Sequence, residues 1–104
     1  MSEAPVHPAV RELVEAINVG DRPRFLSALT PDATLSDDGT QQDLEEWIDR
    51  EIFTVNGHLD VAEQDADGLS LIARYRNDTW GEMRTRWRFT IVDGKIGEIA
   101  TGQA

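Results

Sequence analysis

Apolar residues recur at helical spacing along the first half of the chain and at alternate positions along the second. Val10, Leu13, Val14 and Ile17 stand at i, i+3, i+4 and i+7, which places them on one helical face. His7-Pro8 opens that helix, since proline in a first turn sacrifices no hydrogen bond, and Gly20 closes it. Asp21 caps a second short helix, with Phe25, Leu26 and Leu29 facing inward and Thr30-Pro31 ending it. Residues 33–37 predict a short strand that runs into an Asp38-Gly39 turn. Asp43 with Glu46 three residues on has the form of a capping box, and it starts a third helix striped by Leu44, Trp47, Ile48 and Ile52.

From His58 onward the period changes to two. Leu69, Leu71, Ala73, Tyr75 and Asn77 share one face of a strand, and Arg74, Arg76 and Asp78 share the other. Thr85, Trp87, Phe89 and Ile91 alternate in the same way with Arg84, Arg86 and Arg88. Asp67-Gly68 and Asp93-Gly94 punctuate the strands as turns. Helices followed by a meander predict an α+β fold, with three N-terminal helices packed in a strongly curved antiparallel sheet and a pocket between the layers. The two apolar faces coincide only if the connecting loop has an odd length. Gly81-Glu82-Met83 is the simplest, and it sets Asn77 opposite Trp87, Trp80 against Arg84 and Asp78 against Arg86. It also leaves Arg76 facing Arg88, a like-charge pair that Glu98 or a second subunit would have to relieve.

Length and charge narrow the function. The 104 residues suffice for one domain, spanning 1–104. Twenty acidic against 10 basic residues give a net charge of −10, which speaks against nucleic acid and anionic membranes as partners. Residues 32–67 hold 12 acids and one base, Arg50, whereas residues 74–95 hold six of the ten bases. That asymmetry fits a solvated acidic rim beside an arginine-bearing face, or self-complementarity in a homodimer formed through the outer sheet face. With no cysteine, disulfides and thiolate chemistry are excluded. No apolar run suits a signal peptide or a membrane span of ~20 residues, so a cytoplasmic location is expected. Two isolated histidines offer no transition-metal spacing, and residues 37–51 lack the periodicity of a calcium loop. No metal and no cofactor is expected.

The stretches Ala16-Ile-Asn-Val-Gly-Asp21, Phe25-Leu-Ser-Ala-Leu29 and Pro31-Asp-Ala-Thr-Leu-Ser-Asp37 resemble the nuclear transport factor 2-like superfamily, and so does the closing Phe89-Thr-Ile-Val-Asp-Gly-Lys-Ile96. The nearer likeness is to SnoaL-like polyketide cyclases and ketosteroid isomerases, and it extends over nearly the whole chain. It implies a cone, three helices lining a bent sheet, with a pocket open at one end. In the ketosteroid isomerases the carboxylate that moves the proton stands where this chain has Asp37. The family's two oxyanion donors fall at Leu13 and at or near Thr85, so both are missing. Their loss, on the order of two donors at ~3 kcal/mol each, speaks against steroid isomerisation. The epoxide-hydrolase branch would need an acid where Thr101 stands.

Asp37, with Asp38 beside it, is a turn residue, a general base or a ligand contact. Glu98 faces inward across from Phe89 in one hairpin register and pairs with Arg88 outside in another, the second avoiding an expensive buried charge. His58 begins a strand as a surface group or as an acid or base, and His7 has no evident role. Trp47, Tyr75, Trp87 and Phe89 all fall on inward faces. Trp47, His58, Tyr75, Asn77 and Trp87 make up the expected ligand contacts. Two functions follow. One is a small-molecule pocket, with Asp37 as the base acting on an apolar carbonyl- or hydroxyl-bearing compound. The other is a non-catalytic dimeric association module contacting a protein partner. Whether the protein is an enzyme stays open between them.

Overall fold

The structure, a computed structural model, describes residues 5–104. Helices α1 (Pro8–Val19) and α2 (Arg22–Ser27) precede strands β1 (Leu29–Asp37) and β2 (Thr40–Gln42). Helix α3 (Leu44–Ile48) continues as a wider π-helical turn over Asp49–Phe53. Strands β3 (His58–Gln64), β4 (Ser70–Asn77), β5 (Gly81–Val92) and β6 (Lys95–Gln103) complete the domain.

Each helix start is set by a local side chain. The His7 Nδ1 accepts the Ala9 N–H at 3.2 Å, Asp21 Oδ1 the Arg24 N–H at 3.1 Å, and Asp43 Oδ1 the Glu46 N–H at 3.0 Å. These contacts satisfy amides that have no partner within the helix. Only that half of the expected capping box forms, because the Glu46 carboxylate pairs with Arg50 at 3.6 Å. Gly20, at φ 72°, closes α1 in the left-handed region that favours glycine. Helix α2 stops at Ser27, short of the Thr30-Pro31 expected from the pattern. Leu29 has already entered β1, where it pairs with Ile96, and the Ile96 N–H reaches the Ala28 carbonyl at 2.9 Å.

The six strands form one sheet in the order β2-β1-β6-β5-β4-β3. Neighbours are antiparallel except β1 and β6, which run parallel, so the sheet is mixed rather than wholly antiparallel. Leu35, Leu59, Val61, Leu71, Ala73, Trp87, Phe89 and Ile99 are buried from the sheet, together with Val10, Leu13, Val14, Ile17, Phe25, Ile48 and Ile52 from the helical layer. The guanidinium-bearing residues Arg74, Arg76, Arg84, Arg86 and Arg88 are exposed on the other face. Where α1 ends, the Asn18 amide donates to the Leu59 carbonyl at 3.0 Å and accepts the Leu59 N–H at 2.7 Å, fastening the helix to strand β3.

The β4–β5 register differs from the sequence expectation. Asn77 pairs with Gly81, and Trp87 lies opposite Leu71. The Asn77 Oδ1 accepts the N–H groups of Thr79 at 3.0 Å and Trp80 at 2.7 Å, which ties the turn immediately after the strand. The loop is Asp78-Thr79-Trp80. It is odd in length, so the inward and outward sets stay as expected, but it sits three residues earlier. The Trp80–Arg84, Asp78–Arg86 and Arg76–Arg88 pairs accordingly do not form. Arg76 lies opposite Glu82, and Arg74 faces Arg84, which is neutralised by Glu63 at 3.0 Å. Glu98 lies across from Thr90, whose hydroxyl is 3.3 Å away, and not from Phe89 or Arg88. A bulge between Thr90 and Ile91 steps the pairing by one residue after the Asp93-Gly94 turn. It leaves Glu98 exposed on the outer face. Among the described residues no helix is long and apolar enough to cross a membrane.

Candidate functional site

Strand alternation carries Asp37, Tyr75, Trp87 and Thr101 to the helix-facing side of the sheet, and α3 brings Trp47 over them. These five residues line one cavity of about 210 Å³, joined by Asp38, Glu51, Trp80, Met83, Thr85, Gly102 and Gln103. A larger trough of about 670 Å³ lies on the opposite, solvent side, with Arg86 and Arg88 over Ser36, Ser70 and Ala100. Opening on the arginine-bearing face, it sets Glu63 and Asp65 beside those arginines and shares only Trp87 of the aromatic residues that converge in the smaller cavity.

The aromatic wall is built edge on face. Trp47 and Trp87 meet at 6.2 Å with their rings 77° apart, and Trp87 stacks on Phe89 at 6.4 Å. The Trp47 indole donates to Asp37 Oδ2 at 3.1 Å, and the Trp87 indole to Thr85 Oγ1 at 2.9 Å. The Thr85 hydroxyl in turn donates to the Ala73 carbonyl at 3.2 Å, and the Thr101 hydroxyl to the Arg86 carbonyl at 3.0 Å. The Tyr75 hydroxyl donates to the Glu51 carbonyl in the π-helical turn, and the Asn77 amide reaches the Tyr75 oxygen at 3.3 Å. Gly57 permits this arrangement, because a Cβ there would stand 2.5 Å from the Tyr75 hydroxyl.

Burial pushes the Tyr75 phenol above its ordinary value; the Asn77 hydrogen bond opposes the shift and the Glu51 charge adds to it. Tyr75 is the sole tyrosine, so phenolate absorbance reports it alone, with a midpoint expected above about 10. The folded chain then keeps a proton that the unfolded chain has lost. Stability should therefore fall as pH rises past about 10, and Tyr75→Phe should lack that fall in pH-dependent denaturation.

Of the expected site residues, Asp37, Trp47, Tyr75 and Trp87 are brought together here. Asn77 and His58 do not line the cavity. Asn77 lies beneath it, holding Tyr75 and the Trp80 loop, and the His58 Nδ1 sits 2.9 Å from the Asn56 carbonyl at the start of β3. Sequence reasoning missed Trp80, Met83 and Glu51. Met83 shares the parity of Thr85 and Trp87, which could have identified it.

No protein-family model matches the chain, and no curated protein matches it in sequence. Solved structures do. A protein from Sinorhizobium meliloti proposed to be a polyketide cyclase superposes with a TM-score of 0.73 at 20% identity, covering 89% of this chain and 92% of that one. A protein from Kribbella flavida proposed to be a ketosteroid isomerase gives 0.73 at 15% identity, over 94% and 76%. A computationally designed 17-OHP binder gives 0.76 at 14% identity, over 96% and 91%. The chain has the nuclear transport factor 2-like fold. In this NTF2-like domain Leu13 is fully buried in the core, and the hydroxyl of Thr85 is engaged by Trp87 and Ala73. Neither position supplies the oxyanion donors that the family resemblance would require for steroid isomerisation.

Proposed function

We propose that this domain binds a small, largely apolar molecule in the 210 Å³ cavity, with Asp37 as its polar anchor. Where the ligand is turned over, Asp37 is the base that takes its proton. The observation carrying this reading is the state of the Asp37 carboxylate. It is half-buried at the end of β1, one oxygen accepts the Trp47 indole, and the other has no hydrogen-bond partner among the described residues. A carboxylate held in place by one donor, with a free oxygen beside an apolar cavity, suits proton transfer to a bound group. Engagement of the Thr85, Thr101 and Tyr75 hydroxyls and of the Trp47 and Trp87 indoles within the protein favours a ligand that donates, such as a hydroxyl, over one whose carbonyl must be polarised.

Asp37→Asn keeps an oxygen for the Trp47 indole while removing the charge and the basicity. The variant should melt like the parent. Native mass spectrometry of freshly purified protein is expected to show a noncovalent small-molecule adduct. Conversion of that molecule should slow by about 10²–10⁴-fold in the variant. Undiminished conversion by Asp37→Asn would remove Asp37 as the base.

A further inference from the structure

All three tryptophans of the chain and its single tyrosine line this one cavity. Three acidic residues, Asp37, Asp38 and Glu51, line it with them, and no lysine, arginine or histidine does. Two of the three carboxylates have cationic neighbours. Arg86 Nη2 stands 3.9 Å from Asp38, and Arg50 Nε stands 3.1 Å from Glu51. Among the described residues Asp37 has only a neutral indole as partner. Among the described residues no three carboxylate or histidine groups converge as metal ligands would.

Most side-chain donors in the wall are already committed. Trp47, Tyr75, Thr85, Trp87 and Thr101 each donate to a protein oxygen. An anion or a ligand carbonyl would therefore meet an acidic wall most of whose donors are engaged within the protein. A cation would meet the reverse: a carboxylate lacking its countercharge, held by the Trp47 indole N–H and flanked by the indoles of the cavity wall. Aromatic rings attract cations through their negative faces, most strongly when the contact is dry, and a net charge of −10 raises the local concentration of cations further. Size points the same way, because 210 Å³ lies below the ~300–1,000 Å³ usual for drug-sized ligands.

We propose that the ligand of this site is a small organic ammonium compound, with its charged head against Asp37 and its alkyl groups on Trp47, Trp80 and Trp87. The inference rests on the reading of the cavity as a ligand site, and it names the class of ligand. The test compares choline with its neutral carbon isostere, in which a tert-butyl group replaces trimethylammonium. Intrinsic tryptophan fluorescence is the readout, since every tryptophan lines the cavity. Choline should shift the emission saturably and bind at least about tenfold tighter than the isostere. Asp37→Asn should abolish most of that preference, with choline losing far more affinity than the isostere. Equal affinities for the two probes would overturn the ammonium assignment and leave a small-molecule cavity standing. No saturable response to either at millimolar concentration would overturn both. A preference that survives in Asp37→Asn would overturn the placement of the head group.

Discussion

Trp87→Ala is expected to destabilise the domain by about 3–5 kcal/mol, the range for removing a large aromatic side chain from a core. For a domain of this size that lowers Tm by roughly 15 °C or more. Trp87 is 3% exposed, wedged between the edge of Trp47 and the face of Phe89 at the centre of the β4–β5–β6 region. Removing it leaves a void that the helices above cannot close without breaking the Trp47–Asp37 contact. Trp80→Ala, at 65% exposure, should change stability by no more than about 0.5 kcal/mol. Differential scanning calorimetry of the two variants separates them. Equal losses would mean that Trp87 does not hold the core position assigned to it on β5.

Asn77→Ala is expected to cost about 2–3 kcal/mol, a large effect for a polar residue at a strand end. Its amide group is buried and works in two directions. The oxygen takes the amides of Thr79 and Trp80, and the nitrogen reaches the Tyr75 hydroxyl and the Glu51 carbonyl. Truncation leaves the turn untied and withdraws a donor from beneath the cavity. Arg76→Ala, one residue earlier and facing solvent, should stay within about 0.5 kcal/mol. Chemical denaturation of the pair gives the comparison, and the expectation fails if the two cost the same.

Local chemistry was legible in the sequence wherever a single side chain decided the outcome. His7-Pro8, Gly20, Asp21 and Asp43 set helix ends through contacts reaching no more than a few residues, and the Asp38-Gly39 and Asp93-Gly94 turns need only residues that tolerate positive φ. Alternation placed Asp37, Tyr75 and Trp87 on one face of the sheet, and helical periodicity turned Trp47 towards them, so the aromatic and acidic centre of the cavity was readable. Register was not readable, because alternation fixes parity and leaves the sliding of one strand past another undetermined. What pins β4 against β5 is the side-chain amide of Asn77 reaching two successive N–H groups, a contact that depends on the turn geometry it creates. The same geometry turns Asn77 away from the ligand space and moves Trp80 from an expected outer-face position to the cavity rim. The parallel pairing of β1 with β6 joins segments far apart in sequence, and no local pattern announces it.

The fastening of Asn18 to Leu59 also bears on how the molecule avoids its own kind. Strand β3 ends the sheet, and such a border normally offers bare amides and carbonyls on which an incoming chain can template itself into a fibre. At Leu59 both of those groups are already taken by the carboxamide of α1. Polymerisation along this border would first have to unhook the helix, so the contact that docks α1 doubles as a guard against amyloid-like growth.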